Sequence, residues 1–179
     1  MLQLVIPDQE IFDDGKSEFI ILKGRTIQVE HSLVSISKWE SKWNKPFITK
    51  TEKTVEETID YIKCMCITQN VPSEVFDNIT NENVETVSKY IAAPMTATWF
   101  NNTNEESTKE VITSEIIYYW MIAYNIPFKC EKWHLNRLLT LIRVCSTKNA
   151  PPKKMSKAEI INRNRTLNNQ RRQQLNSKG

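Results

Sequence analysis

The spacing of apolar positions changes along the chain, and each change marks an element. Near the start the apolar residues come in short runs. Residues 2–7 alternate loosely, Glu18–Leu22 is a brief apolar run, and Arg25–Val29 sets Ile27 and Val29 against Thr26 and Gln28. Alternation bounded by turn residues predicts strands, and Lys23 with Gly24 between the last two runs predicts a hairpin closed there. Residues 33–36 are again apolar. Trp39 and Trp43 then follow four apart, which puts both indoles on one face of a helical turn ended by Pro46.

From residue 51 the period lengthens. Thr54 with Glu57 three positions on forms a capping-box pattern. It precedes a stripe of Ile59, Ile62 and Cys66 flanked by Met65. Val75, Phe76 and Ile79 predict one short helix. Val84, Val87, Tyr90 and Ile91 predict another, stopped by Pro94. Residues 95–100 fit a short strand, and residues 101–109 read as a polar loop. Residues 110–124 are the most apolar stretch. A helix apolar nearly all round is expected at the centre of a core. A tight link with Pro127 leads to a helix over residues 131–147, with Leu135, Leu138, Leu139, Leu141, Ile142 and Cys145 on its apolar face. Short links join antiparallel neighbours, so these two helices are expected to form the hairpin that organises the core. After Ala150, Pro151 and Pro152, Ser156 and Glu159 start a last helix whose apolar positions, Ile160, Ile161, Leu167 and Leu175, make a thin stripe. Such an arm is expected to be helical in part, or when bound. No internal repeat is visible.

The fold class that follows is α+β and predominantly α-helical. N-terminal short strands or a β-hairpin precede a helical bundle and a C-terminal helical arm. Residues 1–149 form one globular module, with a strand-rich part over 1–50 and a helical part over 51–149. Residues 150–179 form a basic arm.

Charge sharpens that division. The net charge is +3. Residues 153–179 carry eight Lys or Arg against Glu159 alone, so the rest of the chain is mildly acidic. A basic tail on an acidic body is expected to face something anionic or to be held off by solvation.

Composition argues against common chemistries. Three glycines leave no phosphate-cradling loop, and neither dinucleotide nor P-loop motif occurs. Cys130 stands four residues before His134, but free cysteines are usually buried and inert, and His134 reads as a packing or capping residue. A zinc site from Cys64, Cys66, Cys130 and His134 would need a better spacing than Cys-x-Cys. The acidic pairs Asp13-Asp14, Glu56-Glu57 and Glu105-Glu106 read as solvated surface. No catalytic residue, cofactor or metal is therefore expected. Trp39 and Trp43, interleaved with Lys38, Lys42 and Lys45, fit a packing ridge or a protein-binding anchor better than a nucleic-acid platform.

The run Ser35-Ile36-Ser37-Lys38-Trp39-Glu40-Ser41-Lys42-Trp43, followed by Lys45-Pro46-Phe47, resembles small proteins of tailed bacteriophages. The resemblance continues at Tyr119-Trp120-Met121, at Ile126-Pro127-Phe128-Lys129-Cys130-Glu131-Lys132-Trp133-His134-Leu135 and through Asn136-Arg137-Leu138-Leu139. It reaches the tail at Leu167-Asn168, Arg171-Arg172 and Leu175-Asn176-Ser177-Lys178-Gly179, and so spans nearly the whole chain. The family is that of siphophage tail assembly chaperones. It implies a non-enzymatic helical protein that coats the tape measure protein and recruits tail tube subunits.

The candidate contact residues are Trp39, Trp43, Ile160, Ile161 and Leu167, with Arg163, Arg165, Arg171 and Arg172 of the arm. A homo-oligomer is compatible with this reading. A permanent virion component (adaptor, connector or tail part) and a nucleic-acid-binding protein acting through the arm are the alternatives. With neither a signal-peptide pattern nor an apolar run of membrane-spanning length, the expected place is the bacterial host cytoplasm or the virion, without a membrane partner.

Overall fold

The computed structural model describes residues 1–13, 15, 18–49, 52–100, 111–151 and 156–176. The fold is α+β and mostly helical. Among the described residues four strands come first: β1 (Leu2–Ile6), β2 (Gln9–Asp13), β3 (Glu18–Leu22) and β4 (Arg25–Val29). Among the described residues six α-helices follow: α1 (Leu33–Trp43), α2 (Val55–Met65), α3 (Asn81–Ala92), α4 (Ser114–Ala123), α5 (Leu135–Asn149) and α6 (Lys157–Gln174). Two 3-10 segments, Ser73–Asn78 and Phe128–Lys132, precede α3 and α5. The chain divides into two compact units, Met1–Ser146 and Thr147–Gly179.

The strands do not pair as their spacing suggested. Glu18–Leu22 and Arg25–Val29 are not hairpin partners. β1 pairs antiparallel with β4, and β2 with β3. Stepping three residues along each strand from the pair Ile6–Arg25 arrives at the pair Gln9–Leu22. One long ribbon therefore runs through both sheets, and Lys23-Gly24 is a break in it, not its turn. The cause lies across the ribbon. Pro7 stands opposite Gly24 and has no N–H to give the ladder. Gly24 lets the two backbones close: a Cβ there would sit 2.1 Å from the Ile6 carbonyl oxygen and 2.3 Å from the Pro7 carbonyl carbon. The Gly24 N–H donates instead to Asp8 Oδ1 at 2.6 Å. Because both obstructing atoms are backbone, Gly24→Ala is expected to cost about 1–3 kcal/mol. It should also lower hydrogen-exchange protection in β2 and β3. An unchanged urea midpoint would rule out this close approach.

Two asparagines hold the break in place. Asn78 Nδ2 donates to the Leu22 carbonyl at 3.0 Å, and Asn83 Nδ2 to the Val5 carbonyl at 3.0 Å. The far edge of β4 is covered by residues 65–68. Glu30 N–H donates to Met65 O, and Ile67 N–H to Gln28 O. A covered edge cannot template unwanted pairing.

The strands end at Val29, and α1 begins four residues later, so residues 33–36 open a helix within the part expected to be strand-rich. Four helices start with a reciprocal capping box: Ser32–Ser35, Thr54–Glu57, Thr80–Asn83 and Ser156–Glu159. Each satisfies two backbone donors that a helix start leaves open. Asparagine replaces the scarce glycine at left-handed positions. Asn44, Asn70 and Asn125 all have positive φ, and Asn44 closes α1. Its side chain is one of the few that tolerate that region.

The core gathers around α1, which packs on α2, on α4 and on the Phe128–Lys132 segment. Leu33, Ile36 and Trp39 share one buried core with Leu4, Ile6, Ile27 and Val29 of the ribbon, Ile62 and Met65 of α2, and Ile117 and Met121 of α4. The expected organising hairpin of α4 and α5 is thus replaced by a central α1. α4 is not buried all round either: Ile117 and Met121 are buried, while Tyr119 is 66% and Ile122 61% exposed. One face of α4 is covered, and the apolar residues opposite point outward. The α2 stripe is also rotated from expectation, with Tyr61, Ile62 and Met65 buried and Ile59 half-buried. Residues 95–100 are not a strand. The expected loop at 101–109 lies outside the described residues.

Candidate interaction surfaces

Trp39 is the first correction among the candidate contact residues. It is 2% exposed, and its indole N–H donates to the Glu57 carbonyl at 2.9 Å. Its ring stacks on Trp43 at 6.1 Å and meets Phe47 edge-on at 5.2 Å. Trp43 is half-buried and donates to Asp60 Oδ2 at 2.9 Å. The two indoles face α2, so they form the packing ridge and leave Trp39 no surface to offer. The lysines interleaved with them serve the same seam: Lys42 pairs with Asp60, and Lys45 with Glu57 at 2.6 Å.

Glu57 is therefore not solvated surface. It is buried, and its carboxyl is held below the ordinary range by Lys45 and by the Thr54 backbone. Burial pushes the Asp60 carboxyl up, but hydrogen bonds from Lys42 and Trp43 outweigh it and leave it lowered. Glu40 accepts the Phe47 N–H at 2.7 Å and the Ser114 N–H at 2.8 Å, which ties α1 to the start of α4. Of the other acidic pairs, Asp14, Glu105 and Glu106 lie outside the described residues.

The two histidines, far apart in sequence, meet in the core. Their ring centroids are 5.1 Å apart. The chain brings them together by an antiparallel bridge between Ser32 and His134 and by the Leu135 N–H, which donates to His31 O at 2.7 Å. His134 Nδ1 accepts the Asn136 N–H at 3.3 Å, which leaves Nε2–H to donate to Tyr90 O at 3.1 Å. That is the capping and packing role its position suggested. His31 Nδ1 contacts Tyr61 Oη at 2.5 Å. Tyr90 Oη donates to Glu30 Oε1 at 2.6 Å. Burial, with His134 adding to it, lowers the His31 pKa to about 3. Burial also lowers that of His134. Both rings are neutral at pH 7 and sealed from a substrate by the core around them.

Burial raises the thiols of Cys64 and Cys66, which keeps them protonated and poor as nucleophiles or ligands. Among the described residues no three His, Cys, Asp or Glu side chains form a group fit for a metal ion.

Among the described residues, exposed apolar side chains gather in several places, three of which bear on binding. The outer face of α4 presents Tyr119 and Ile122. Beside it, Trp120 and Tyr124 of α4 face Leu139, Ile142 and Arg143 of α5 across an open cleft of about 340 Å³. The Arg143 guanidinium lies over the Phe100 ring at 4.2 Å. Sequence reasoning missed this surface because a helix apolar on every side reads as buried.

The second place is the distal ribbon, where Phe12 is 50% and Phe19 69% exposed. The third is α6, which has no buried residue. There Ile160, Ile161 and Leu167, expected as contact residues, are exposed, as are Arg163, Arg165, Arg171 and Arg172. Of the tail basics, Lys153, Lys154 and Lys178 lie outside the described residues. No described helix is long and apolar enough to cross a membrane.

Comparison with known proteins finds no matching family, no matching curated sequence and no matching solved structure.

Proposed function

We propose that this chain is a non-enzymatic phage tail assembly chaperone. It holds the tape measure protein and tail tube subunits while the tail is built in the bacterial cytoplasm. The family part of this reading rests on the sequence resemblance. The observation that supports a holding role is the outward apolar face of α4 and its cleft with α5. Contiguous exposed apolar surface marks a docking site more often than chance. A long apolar helix would lay its side chains along Tyr119, Ile122 and the cleft as an amphipathic helix does in a groove.

The test is co-expression with a tape measure protein. The wild-type chain copurifies with it. The double variant Tyr119→Asp, Ile122→Asp loses at least tenfold in capture while its thermal midpoint stays unchanged, because both side chains are exposed. Equal capture by the variant would reject α4 as the site, and no capture by either chain would reject the chaperone reading. The alternative of a permanent virion part is separated by mass spectrometry of purified particles, where abundant copies favour it.

A further inference from the structure

We propose that the β2–β3 ribbon is a self-association surface, on which the same ribbon of a second copy packs face to face about a two-fold axis. This goes beyond the holding of a client, which the outer face of α4 serves.

One face of the long ribbon is covered before the break and bare after it. Leu4 and Ile6 of β1 and Ile27 and Val29 of β4 share that face and belong to the core. Counted through the break, the same alternation reaches Phe12 of β2 and Phe19 and Ile21 of β3. All three side chains are exposed, Ile21 at 62%. Phe12 and Phe19 stand opposite each other and meet edge to face at 5.1 Å. Two strands by themselves are marginal in water, and a hairpin gains stability when its apolar face is packed.

The dimensions and chemistry of this face match a second copy of itself. Strands of five residues give a surface two strands wide and about 17 Å long. An identical ribbon has the same outline, and two such faces pack about 10 Å apart with their strands nearly aligned. The centre of the face is apolar throughout. Of the charged side chains described on these strands, Glu18 lies on the opposite face, and Glu10 stands beside Ile21 at the end nearer the break. A two-fold pairing centred on the phenylalanines therefore sets apolar against apolar and leaves Glu10 at the rim. Such self-complementarity is what an isologous contact requires.

Area sets the strength. The exposed parts of Phe12, Phe19 and Ile21 come to roughly 700 Å² for two copies together. Stable interfaces bury about 1,200–2,000 Å². The contact is thus a weak, reversible dimer. Both copies bring Glu10 to it, so screening by salt favours association.

Sedimentation of the full chain over a wide concentration range tests this. The wild type should pass from monomer to dimer, stop there, and dimerise more tightly as salt rises. Phe12→Asp with Phe19→Asp should weaken the dimer at least tenfold, and Glu10→Gln should strengthen it. Should the phenylalanine variant fail to fold, Ile21→Asp replaces it. Hydrogen exchange of the wild type needs no variant: amides of β2 and β3 should gain protection from dilute to concentrated samples, while those of α4 do not change. A wild type that stays monomeric at every concentration overturns the proposal. So does a dimer in which β2 and β3 gain no protection, or a ribbon variant that dimerises as the wild type does. Protection of β2 and β3 that appears only when a tape measure protein is added gives the face to the client and overturns it as well.

Discussion

Replacing Trp39 by alanine is expected to cost about 3–5 kcal/mol of folding stability, the range for truncating a buried aromatic side chain. Two effects add. The side chain leaves a cavity between α1 and α2, where it contacts Trp43 and Phe47. The Glu57 carbonyl also loses the indole donor. Against a total stability of roughly 5–15 kcal/mol, this leaves a marginal fold. Trp39→Phe should cost less, because it keeps most of the buried surface and gives up the hydrogen bond. Trp43→Ala should also cost less, since Trp43 is already half-exposed to water. Urea denaturation of the three variants gives the order. A loss below about 1 kcal/mol for Trp39→Ala, accompanied by weaker client capture, would return Trp39 to the contact surface.

Acidification is expected to remove about 2 kcal/mol between pH 7 and pH 5 through His31 alone, at about 1.4 kcal/mol for each unit of pKa difference. The sign follows from the lowered pKa. In the unfolded chain His31 takes up a proton near its ordinary value of 6.5, whereas the folded site stays neutral down to about 3. Below 6.5 the unfolded state therefore binds more protons, and stability falls with pH. His134 shifts the same way and adds to the loss. The folded site resists the proton because burial removes water from the ring and the second histidine stands 5.1 Å away. Of the nearby groups, Glu30 favours the charged form of His134, but burial outweighs it. Below about pH 4.5 the lowered carboxyls of Glu57 and Asp60 add a second loss, because they too take up protons on unfolding. Urea midpoints across this range test the claim. His31→Gln should flatten the slope between pH 6.5 and 5, and a wild type with no slope there would contradict the buried neutral pair.

The elements themselves were legible where local chemistry decides them. Thr54 with Glu57, and Ser156 with Glu159, announced two helix starts, and both capping boxes are present. The runs Glu18–Leu22 and Arg25–Val29 are both strands. β2 was missed because Gln9, Glu10 and Asp13 dilute Ile11 and Phe12, so the run lacks the apolar content that marks a strand. Of the candidate site, the arm was visible in its charge. The α4 surface was not, because exposure depends on what packs against a helix and not on its own sequence.

The sequence by itself determined that Glu18–Leu22 and Arg25–Val29 are extended, that helices begin at Thr54 and Ser156, and that the basic charge collects at one end. Those properties depend on neighbours within a few positions, which interact whatever the rest of the chain does. Only the tertiary structure decided that the ribbon passes straight through Gly24, that Trp39 is sealed while Tyr119 and Ile122 stay open, and that His31 meets His134. Each of these is a contact between residues distant in the chain. Many pairings are compatible with the same local pattern, and the one adopted closes the core while giving Trp39, Glu40, Glu57 and His134 hydrogen-bond partners.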